Sequence, residues 1–486
     1  MKKAIVVGSG IAGIASAIRL ASAGYQVMVF EAGTQPGGKL SEFWLGPYRF
    51  DFGPSLFTLP GLVLELFQLA GKDPEQYFTY KSLSEANRYH FEDGTVVKSY
   101  TNPQKFAEEV TLKLGVPSSK VLNYLDHSRM IQRYTQSIFL HRSLHRIGSY
   151  LHADLLPSLA HLPFMDVFST MDQANQRRLG DAKLVQIFNR FATYNGSSPY
   201  KAPGILNIIP SLEHLGGAYF PTGGMYSITT SLHRLAGELG VEFHFNERVE
   251  RIDHTNTRVT GVTTDRGAYA ADLVISNMDI VPTYRKLLPG LPAPERILHQ
   301  ERSSSALVFY WGIRRRFDNL GLHNIFFSRD YPQEFDYIFN RHDISDDPTI
   351  YVNISSKEAP GDAPDGCENW FVLINAPCDH GQDWDAMVRR TRQNVVAKLH
   401  RMLGIDLRQH IEMEEVLDPR RLEAKTFSYK GALYGNSSNS RFAAFFRHPN
   451  FHRDVRGLYF AGGSVHPGGG IPLCLMSARI TANLIA

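Results

Sequence analysis

The chain has 486 residues, enough for two or three domains with large cores, and its net charge is only +3. This balance lacks the basic density of a phosphate-binding surface, so we expect no nucleic-acid partner. The three cysteines lack metal-ligand spacing and no apolar run reaches the roughly 18 residues of a transmembrane helix. We therefore expect a metal-free protein of a reducing compartment that is soluble or peripherally attached to a membrane.

The first 39 residues have the pattern of a dinucleotide-binding βαβ unit. A strand over AIVVGSG leads into a G-x-G-x-x-G turn, which is followed by a helix over IASAIRLASAG and a strand over YQVMVFE. In that turn Gly8 permits the tight bend, Gly10 lets the backbone approach a pyrophosphate, and Gly13 packs the helix on the strand. Glu31 ends the second strand, where a carboxylate accepts hydrogen bonds from a ribose 2′-OH and repels a 2′-phosphate.

A secretory signal peptide is the alternative interpretation of the same residues. Met1-Lys2-Lys3 would be its charged region, residues 4–18 its apolar region and Ala21-Ser22-Ala23 its cleavage site. Glycines are costly in a helical apolar region, whereas here each one lies where the turn needs it, and Arg19 adds a charge. We therefore favour the βαβ unit.

Two small-residue loops follow this unit. Gly37 and Gly38 precede Lys39 and would let a phosphate or an isoalloxazine ring contact the backbone, while the lysine adds charge. An ordinary Gly-Pro loop is the alternative, which we favour less because the pair follows an intact fingerprint. The stretch Gly53-Pro54-Ser55 lies in an aromatic setting and is a candidate floor of the same cofactor site.

From about Leu62 the pattern changes to helices separated by polar loops, which predicts a second domain. A hairpin is predicted near residues 89–97, with its turn at Glu92-Asp93-Gly94. The loop from Thr193 to Tyr200 carries polar turn residues beside Tyr194 and Tyr200 and is a candidate lining of a cavity. Residues 306–317 predict an apolar strand, which is either an ordinary core strand or the floor of an apolar site.

Residues 138–168 combine basic side chains with an apolar helical face that is broken at Pro157 and Pro163. Such a segment suits a bilayer interface, and a buried amphipathic helix is the alternative that stays open. His141 and His145 have i, i+4 spacing, but no nearby carboxylate or cysteine clearly completes a metal shell. We therefore expect no metal at this pair.

The last segment carries a second glycine-rich turn. A strand over GLYFAGG leads into SVHPGGG, and Ile471-Pro472 then opens a helix over LCLMSARITANLIA, since proline is tolerated in a first turn. Together with the N-terminal turn, this predicts two chain ends that enclose one extended anionic cofactor. A helix dipole at a flavin pyrimidine ring would stabilise negative charge by up to about 2 kcal/mol.

These stretches together resemble the phytoene-desaturase-type carotenoid oxidoreductases, which are flavoproteins of the amine-oxidase-like superfamily. The matching stretches are Gly8–Gly13, Glu31, Gly37-Gly38, Thr193–Pro203, Pro221–Gly224 and Ala461–Ser477. The segment AGGSVHPGGGIPLCLMSA looks very like the C-terminal signature of that family. Lys39 stands where relatives often carry arginine, which keeps the charge but loses the bidentate geometry.

The resemblance implies FAD as the cofactor. Its AMP moiety would lie near the first glycine turn and Glu31, with Val249 facing the adenine, while residues 462–476 would hold the pyrophosphate, ribitol and flavin. The residues so implied are Gly8, Gly10, Ile11, Ala12, Gly13, Glu31, Ala32, Gly37, Gly38, Lys39, Gly53, Pro54, Ser55, Val249, Gly462, Gly463, Gly470, Ile471, Pro472 and Met476.

The resemblance also implies the fold class. We expect an α/β protein with a Rossmann-like FAD-binding domain of the glutathione-reductase and amine-oxidase type, and with an inserted, mixed α+β substrate domain. The discontinuous FAD-binding domain would comprise residues 1–75, 220–282 and 421–486. Residues 76–219 and 283–420 would form the substrate domain.

The implied reaction is desaturation of a carotene. A hydride would pass to flavin N5 and a proton would leave the adjacent carbon, while the protein supplies orientation and a dry apolar tunnel. The resemblance favours the hydroxycarotenoid 3,4-desaturases, which act on a 1-hydroxylated carotene such as a hydroxy-γ-carotene. Quinone or oxygen would reoxidise the flavin. No proton acceptor is assigned, because His466 suits a loop-holding role better than that of a base.

Other activities stay open at this point. Within the same family the protein could be a phytoene desaturase or a carotenoid cis–trans isomerase. A prenyl-binding escort protein shares the general fold but is expected to have a degenerate flavin site, and an amine oxidase does not match the C-terminal histidine-proline-glycine run. The insoluble substrate and the segment 138–168 lead us to expect a cytoplasmic protein attached peripherally to a membrane.

Overall fold

The computed structural model describes residues 1–135, 142–146, 155–440 and 446–485. Its strands are β1 (Lys3–Val7), β2 (Gln26–Glu31), β3 (Glu42–Leu45), β4 (Tyr48–Asp51), β5 (Tyr80–Ser82), β6 (Glu85–His90), β7 (Val96–Tyr100), β8 (Tyr219–Pro221), β9 (Glu242–Phe245), β10 (Val249–His254), β11 (Val259–Thr264), β12 (Ala268–Ala270), β13 (Leu273–Ser276), β14 (Ser305–Ile313), β15 (His323–Phe326), β16 (Ile350–Asn353), β17 (Glu368–Ala376), β18 (Ile411–Leu417) and β19 (Leu458–Phe460). Its helices are α1 (Ile11–Ser22), α2 (Gly61–Leu69), α3 (Pro103–Leu114), α4 (Ser118–Thr135), α5 (Leu155–His161), α6 (Met171–Leu179), α7 (Ala182–Asn189), α8 (Ile209–His214), α9 (Tyr226–Glu238), α10 (Ile280–Pro282), α11 (Glu295–Leu298), α12 (Tyr331–Asp336), α13 (Trp384–Leu403), α14 (Pro419–Thr426) and α15 (Ile471–Ile485).

A five-stranded parallel sheet has the order β19-β13-β1-β2-β9. In it β1 lies between β2 and β13, so that Ala4 is opposite both Val27 and Leu273. Residues 4–7 of β1 are all buried, because α1, α9 and α15 cover one face of the sheet and the meander β10–β11–β12 covers the other. This architecture confirms the predicted α/β class with a Rossmann-like core.

A seven-stranded mixed sheet has the order β18-β14-β17-β16-β15-β6-β7. Every residue of β14 is buried, and alternate side chains point to opposite faces. Leu307 and Phe309 pack in the cluster that includes the apolar side of α13, whereas Ala306 and Val308 belong to the cluster on the other face. The predicted hairpin is formed by β6 and β7, with Tyr89 opposite Val97.

The two sheets take their strands from different parts of the chain. All strands of the parallel sheet lie in residues 1–75, 220–282 and 421–486, and all strands of the seven-stranded sheet lie in 76–219 and 283–420. The chain therefore leaves the layer of the parallel sheet twice and returns to it twice. The exact domain limits stay a prediction.

Only part of the basic segment 138–168 is described by the structure, namely residues 142–146 and 155–168. His141 lies outside the described residues, so the predicted i, i+4 histidine pair is not described. The ring of His145 lies edge-on to that of His466, with centroids 5.9 Å apart. Among the described residues, no helix is long and apolar enough to cross a bilayer.

Candidate active site

A cavity of about 760 Å³ is lined by residues of both sheets. Gly8, Glu31 and Asn277 reach it from the carboxyl ends of β1, β2 and β13, and Gly463 reaches it just after β19. In α/β folds, ligands bind outside the carboxyl ends of the parallel strands. The cavity therefore has the position expected for the cofactor site.

Most of the residues named from the sequence form part of the cavity wall. These are Gly8, Gly10, Ile11, Ala12, Glu31, Ala32, Gly37, Gly38, Lys39, Gly53, Pro54, Ser55, Val249, Gly463, Gly470, Ile471, Pro472 and Met476. Gly13 and Gly462 lie behind the wall instead. A Cβ atom on Gly13 would lie 2.1 Å from the Gly8 carbonyl oxygen, and one on Gly462 would lie 2.6 Å from Nδ2 of Asn277. These two glycines permit close packing of the layer that supports the wall.

The first glycine turn and the C-terminal turn are joined by Asn277, at the end of β13. A Cβ atom on Gly10 would lie 2.6 Å from Oδ1 of this asparagine. Its Nδ2 donates a hydrogen bond of 2.8 Å to the carbonyl oxygen of Ala461. Only glycine at position 10 therefore leaves room both for Asn277 and for a ligand at the N-terminus of α1. Sequence reasoning missed Asn277, whose only sequence signal is its place after a buried parallel strand.

Glu31 is held in a fixed orientation at the cavity. Its Oε2 accepts hydrogen bonds from the backbone N–H and the hydroxyl of Ser9, both at 2.8 Å, and its Oε1 accepts one from the backbone N–H of Gly33 at 2.8 Å. A carboxylate has about four lone-pair sites, so Oε1 of Glu31 can still accept one hydrogen bond from a ribose hydroxyl.

The second glycine loop packs directly against the first. The backbone N–H of Gly37 donates to the carbonyl oxygen of Ser9 at 2.9 Å. Lys39 then extends deep into the fold, where its Nζ donates to the carbonyl oxygens of Ala432 and Leu433 at 3.1 and 2.7 Å. Burial lowers the pKa of Lys39 to about 8. The lysine thus ties the N-terminal loop to a segment almost 400 residues away and places a positive charge at the cavity wall.

The C-terminal loop contributes the opposite part of the wall. A Cβ atom on Gly469 would lie 2.8 Å from Cα of Tyr434, so this loop also needs glycine for packing. Helix α15 begins at Ile471 with its N-terminus at the cavity. Arg447 donates to the carbonyl oxygen of Tyr434 at 2.8 Å, and no carboxylate in the described part of the chain pairs with it. Burial lowers the pKa of Arg447 to about 10.

His466 holds the C-terminal loop in place. Its Nε2 donates to the carbonyl oxygen of Arg142 at 2.8 Å, and its own carbonyl oxygen accepts hydrogen bonds from Asn450 and Ser477. Burial lowers the pKa of His466 to about 4, so the imidazole is neutral at physiological pH. These contacts agree with a loop-holding role.

The remaining wall is largely apolar and comes from the seven-stranded sheet and its neighbours. Its apolar members include Leu206, Ile208, Ile209, Ala306, Val308, Ile325, Phe371, Leu373, Leu417 and Leu422. The strand predicted over residues 306–317 ends earlier in the structure, as β14 (Ser305–Ile313), and serves both as a core strand and as an apolar floor. In the loop Thr193–Tyr200 the prediction holds for Tyr194, which lines the cavity, whereas Tyr200 packs against Phe335 with ring centroids 5.9 Å apart.

One group of polar side chains interrupts this apolar wall. Arg190, Tyr194, Glu213 and Asn87 all line the cavity, although Glu213 and Asn87 keep only 1% of their surface exposed. Glu213 accepts hydrogen bonds from the Tyr194 hydroxyl at 2.6 Å and from Nδ2 of Asn87 at 2.8 Å. Sequence reasoning missed Arg190, Glu213 and Asn87, which come from three separate elements.

The described residues fit FAD. Two glycine-lined helix N-termini open into one cavity, which suits an extended cofactor with an anionic centre. Glu31 suits the ribose, and glycine at positions 10 and 469 lets these two loops pack against Asn277 and Tyr434 at the cavity wall. Lys39 and Arg447 add positive charge on the two sides. The site therefore combines a dinucleotide cradle with an adjoining apolar chamber.

One family model and two named relatives match almost the whole chain. The family model for flavin containing amine oxidoreductases matches residues 11–486. The chain is 51% identical over 485 residues to the 1-hydroxycarotenoid 3,4-desaturase of Flavobacterium sp. (strain P99-3), covering 100% of this chain and 99% of the relative. It is 36% identical to the 4,4'-diapolycopene oxygenase of Methylomonas sp, covering 100% and 98%.

Solved structures share the fold at low sequence identity. An oxidoreductase from Methanosarcina mazei superimposes with a TM-score of 0.65 at 15% identity, covering 98% of both chains. Putrescine oxidase bound to putrescine superimposes with a TM-score of 0.64 at 15% identity, covering 100% of this chain and 98% of the other. These likenesses concern the architecture of the two sheets.

Proposed function

This chain belongs to the flavin-containing amine oxidoreductase family, and we propose that within it the protein is the desaturase that forms the 3,4 double bond of a 1-hydroxylated carotene. Its cofactor is FAD. The proposal rests above all on one observation, the continuity between the glycine-lined cofactor cradle and the apolar chamber. The full-length identity to the Flavobacterium desaturase supports the choice of substrate and bond.

In this reaction the protein's own residues hold the substrate and favour negative charge near the cofactor. FAD, when bound, supplies the hydride acceptor. Ala306 and Val308 on β14 hold the polyene in a dry environment and constrain it by shape. The N-terminus of α15 and Arg447, which pairs with no carboxylate among the described residues, favour negative charge beside the C-terminal loop. Substrate loses one hydride and one proton for each new double bond.

The activity can be tested with purified protein, FAD and candidate carotenes, under anaerobic conditions with a quinone. We expect a yellow protein that extends the polyene chromophore of a 1-hydroxylated carotene and lowers its mass by two hydrogens. Repeating the assay with oxygen in place of the quinone identifies the acceptor, which we propose to be one of the two. Protein without FAD, or an unchanged absorption spectrum with every carotene, would overturn the proposal.

The same mass spectrum separates the other activities of the family. A cis–trans isomerase leaves the mass unchanged, and an oxygenase such as the named Methylomonas relative adds oxygen. A prenyl-binding escort protein would leave the substrate intact and is expected to have a degenerate flavin site. Here Gly10, Glu31 and Gly463 are all present and line the cavity, which argues against an escort role.

We propose further that the protein works at the cytoplasmic surface of a membrane, because such a substrate is dissolved in the bilayer. In the described part of the segment 138–168, Leu159, Phe164 and Phe168 expose 48%, 65% and 74% of their surface. Large exposed apolar side chains of this kind insert into the headgroup region of a bilayer.

Flotation with anionic liposomes tests this placement. We expect the double variant Phe164→Ser, Phe168→Ser to float less than the wild type. The control is Leu112→Ser, which changes a residue on α3 that is 76% exposed. Equal flotation of all three proteins would count against membrane contact through this segment.

A further inference from the structure

One guanidinium at the apolar chamber, that of Arg190, forms no ion pair with a carboxylate of the described residues. Arg190 lines the cavity and keeps 9% of its surface exposed. Burial of such a charge is strongly unfavourable unless its N–H groups and its charge are compensated. The contacts of Arg190 therefore show whether its role is structural or directed at a ligand.

The guanidinium lies over two aromatic rings, 5.7 Å from the centroid of Tyr89 and 5.1 Å from that of Tyr194, and its hydrogen bonds are few and long. Arg190 reaches the hydroxyl oxygens of Tyr89 and Tyr194 at 3.3 Å and Oδ1 of Asn87 at 3.4 Å. All three distances exceed the range of about 2.7–3.2 Å that is usual for N–H···O hydrogen bonds. An arginine has five N–H groups, so at least two of them lack an acceptor among the described residues. No carboxylate in the described ranges forms an ion pair with Arg190.

The carboxylate of Glu213, in contrast, is held firmly by neutral donors. The Tyr194 hydroxyl donates to Oε2 at 2.6 Å and Asn87 donates to Oε1 at 2.8 Å. These two contacts leave lone pairs free, since a carboxylate offers about four acceptor sites. Glu213 and Arg190 thus present an acceptor and donors to the same cavity, and Tyr194 bridges them.

The group lies next to the flavin side of the cavity. The charge of Arg190 acts on Tyr351 and Tyr434, where it opposes the rise in pKa that burial causes. The Tyr351 hydroxyl forms a 2.7 Å hydrogen bond with Ser55, which is one of the residues implied for FAD. Tyr434 packs against Gly469 of the C-terminal loop. Arg190, Tyr351 and Tyr434 all line the one cavity that also contains Ser55 and Gly469, so Arg190 shares its chamber with the cofactor cradle.

A 1-hydroxylated carotene needs a polar group at this place. Its hydroxyl carbon is separated by only two carbon–carbon bonds from C3 of the new double bond, so the hydroxyl must bind close to the hydride acceptor. A neutral hydroxyl has one donor and two lone pairs, which complement a free guanidinium N–H and a carboxylate oxygen. The rest of the substrate is apolar and matches the remaining wall.

Resting on the proposed function, we propose that Arg190 and Glu213 bind the C1 hydroxyl and thereby select hydroxylated carotenes. An Arg190 N–H donates to the hydroxyl oxygen, and the hydroxyl donates to the Glu213 carboxylate. A carotene without the hydroxyl leaves the guanidinium and the carboxylate without these partners in a dry site. Sites that are built to bind a hydroxyl reject analogues that lack it far more strongly than apolar pockets reject an extra methylene.

The test compares two substrates that differ only in the C1 hydroxyl, with the FAD-loaded wild type and the variant Arg190→Met. Affinity is measured from the shift in carotenoid absorption on binding, and turnover from the mass of the product. We expect the wild type to bind the hydroxylated carotene about tenfold or more tightly than its analogue. In Arg190→Met the preference should fall to about twofold or less, with unchanged FAD content, chiefly because the hydroxylated substrate binds more weakly.

Two further variants keep the experiment decisive. Arg178→Met makes the same chemical change at an arginine that pairs with Asp166 and lies outside the cavity wall, and it should keep the preference. If Arg190→Met does not fold, Glu213→Gln, which conserves shape, decides the question and should also lose the preference. An unchanged preference, or an equal loss of affinity for both carotenes, would overturn the inference.

The proposed function can fail separately from this inference. If the wild type binds hydroxylated carotenes preferentially through Arg190 but forms no 3,4 double bond, the hydroxyl site stands and the proposed reaction falls. If the wild type forms that bond but Arg190→Met keeps the preference, the reaction stands and the hydroxyl site falls.

Discussion

The substitution Gly10→Ala should damage the protein in two separable ways. The new Cβ atom would lie 2.6 Å from Oδ1 of Asn277, a distance that real Cβ atoms essentially never show. Asn277 would have to move and lose its 2.8 Å hydrogen bond to Ala461. Overpacking costs about 1–3 kcal/mol and the lost hydrogen bond about 1 kcal/mol, so the free energy of unfolding should fall by about 2–4 kcal/mol.

The second effect concerns the cofactor. The methyl group would also occupy the space where the backbone at the N-terminus of α1 approaches the pyrophosphate, so FAD should bind far more weakly. Urea unfolding of the FAD-free protein measures the first effect, and titration with FAD measures the second. The double variant Gly10→Ala, Asn277→Ala removes the collision, and we expect it to recover part of the stability but not the affinity for FAD.

The control is Gly237→Ala in α9, where a Cβ atom would meet nothing within 4 Å. This change should leave FAD binding intact and stabilise the helix by about 1 kcal/mol, because alanine has the higher helix propensity. The reasoning would be refuted if Gly10→Ala kept wild-type stability and wild-type FAD affinity. It would also be refuted if the double variant recovered full affinity for FAD, since the collision with Asn277 would then explain both effects.

Two further predictions concern Lys39 and β14. Folding lowers the pKa of Lys39 from 10.5 to about 8, so between these pH values the unfolded chain binds one more proton and the stability of the FAD-free protein should rise with pH. Urea unfolding of the wild type at pH 8 and pH 10 should show this rise. A Lys39→Met variant that shows the same rise would contradict the prediction. On β14, Val308→Phe should narrow the chamber and lower kcat/KM for the carotene, with FAD content unchanged. Leu307→Ala, on the opposite face, should lower the free energy of unfolding by about 2–5 kcal/mol and leave the KM of the folded enzyme unaltered. Equal effects of both changes on KM would show that the chamber lies elsewhere.

Much of the cofactor cradle was predictable because its requirements are local. Gly8, Gly10 and Gly13 lie two and three positions apart in one turn, and Glu31 follows at the end of the next strand, so a single stretch of sequence carries the pattern. The C-terminal turn before Ile471 is equally local. The apolar floor on β14 could also be foreseen, but not which of its alternate residues face the chamber, because both faces of that strand are buried.

Other parts of the site depend on contacts between distant residues. Asn277 bonds to Ala461 across 184 positions, and Lys39 bonds to Leu433 across 394 positions. Neither contact has a periodic or compositional signature, because the partners become neighbours only when the two sheets are assembled. The contacts of Arg190 also lack a sequence signature, since its partners Asn87 and Tyr89 come from β6, about 100 positions earlier in the chain.

The sequence by itself predicted that two glycine turns and an acidic strand end form one dinucleotide site, since backbone conformation and close approach at these positions admit few other residues. The resemblance of these stretches to a known family implied that the dinucleotide is FAD. The sequence also determined the family, through the C-terminal turn. Only the tertiary structure decided that a cation and a carboxylate, Arg190 and Glu213, face the apolar chamber beside that site. The reason is physical: a glycine is required by its own backbone, whereas a buried charge acquires its role from the groups that the fold brings around it.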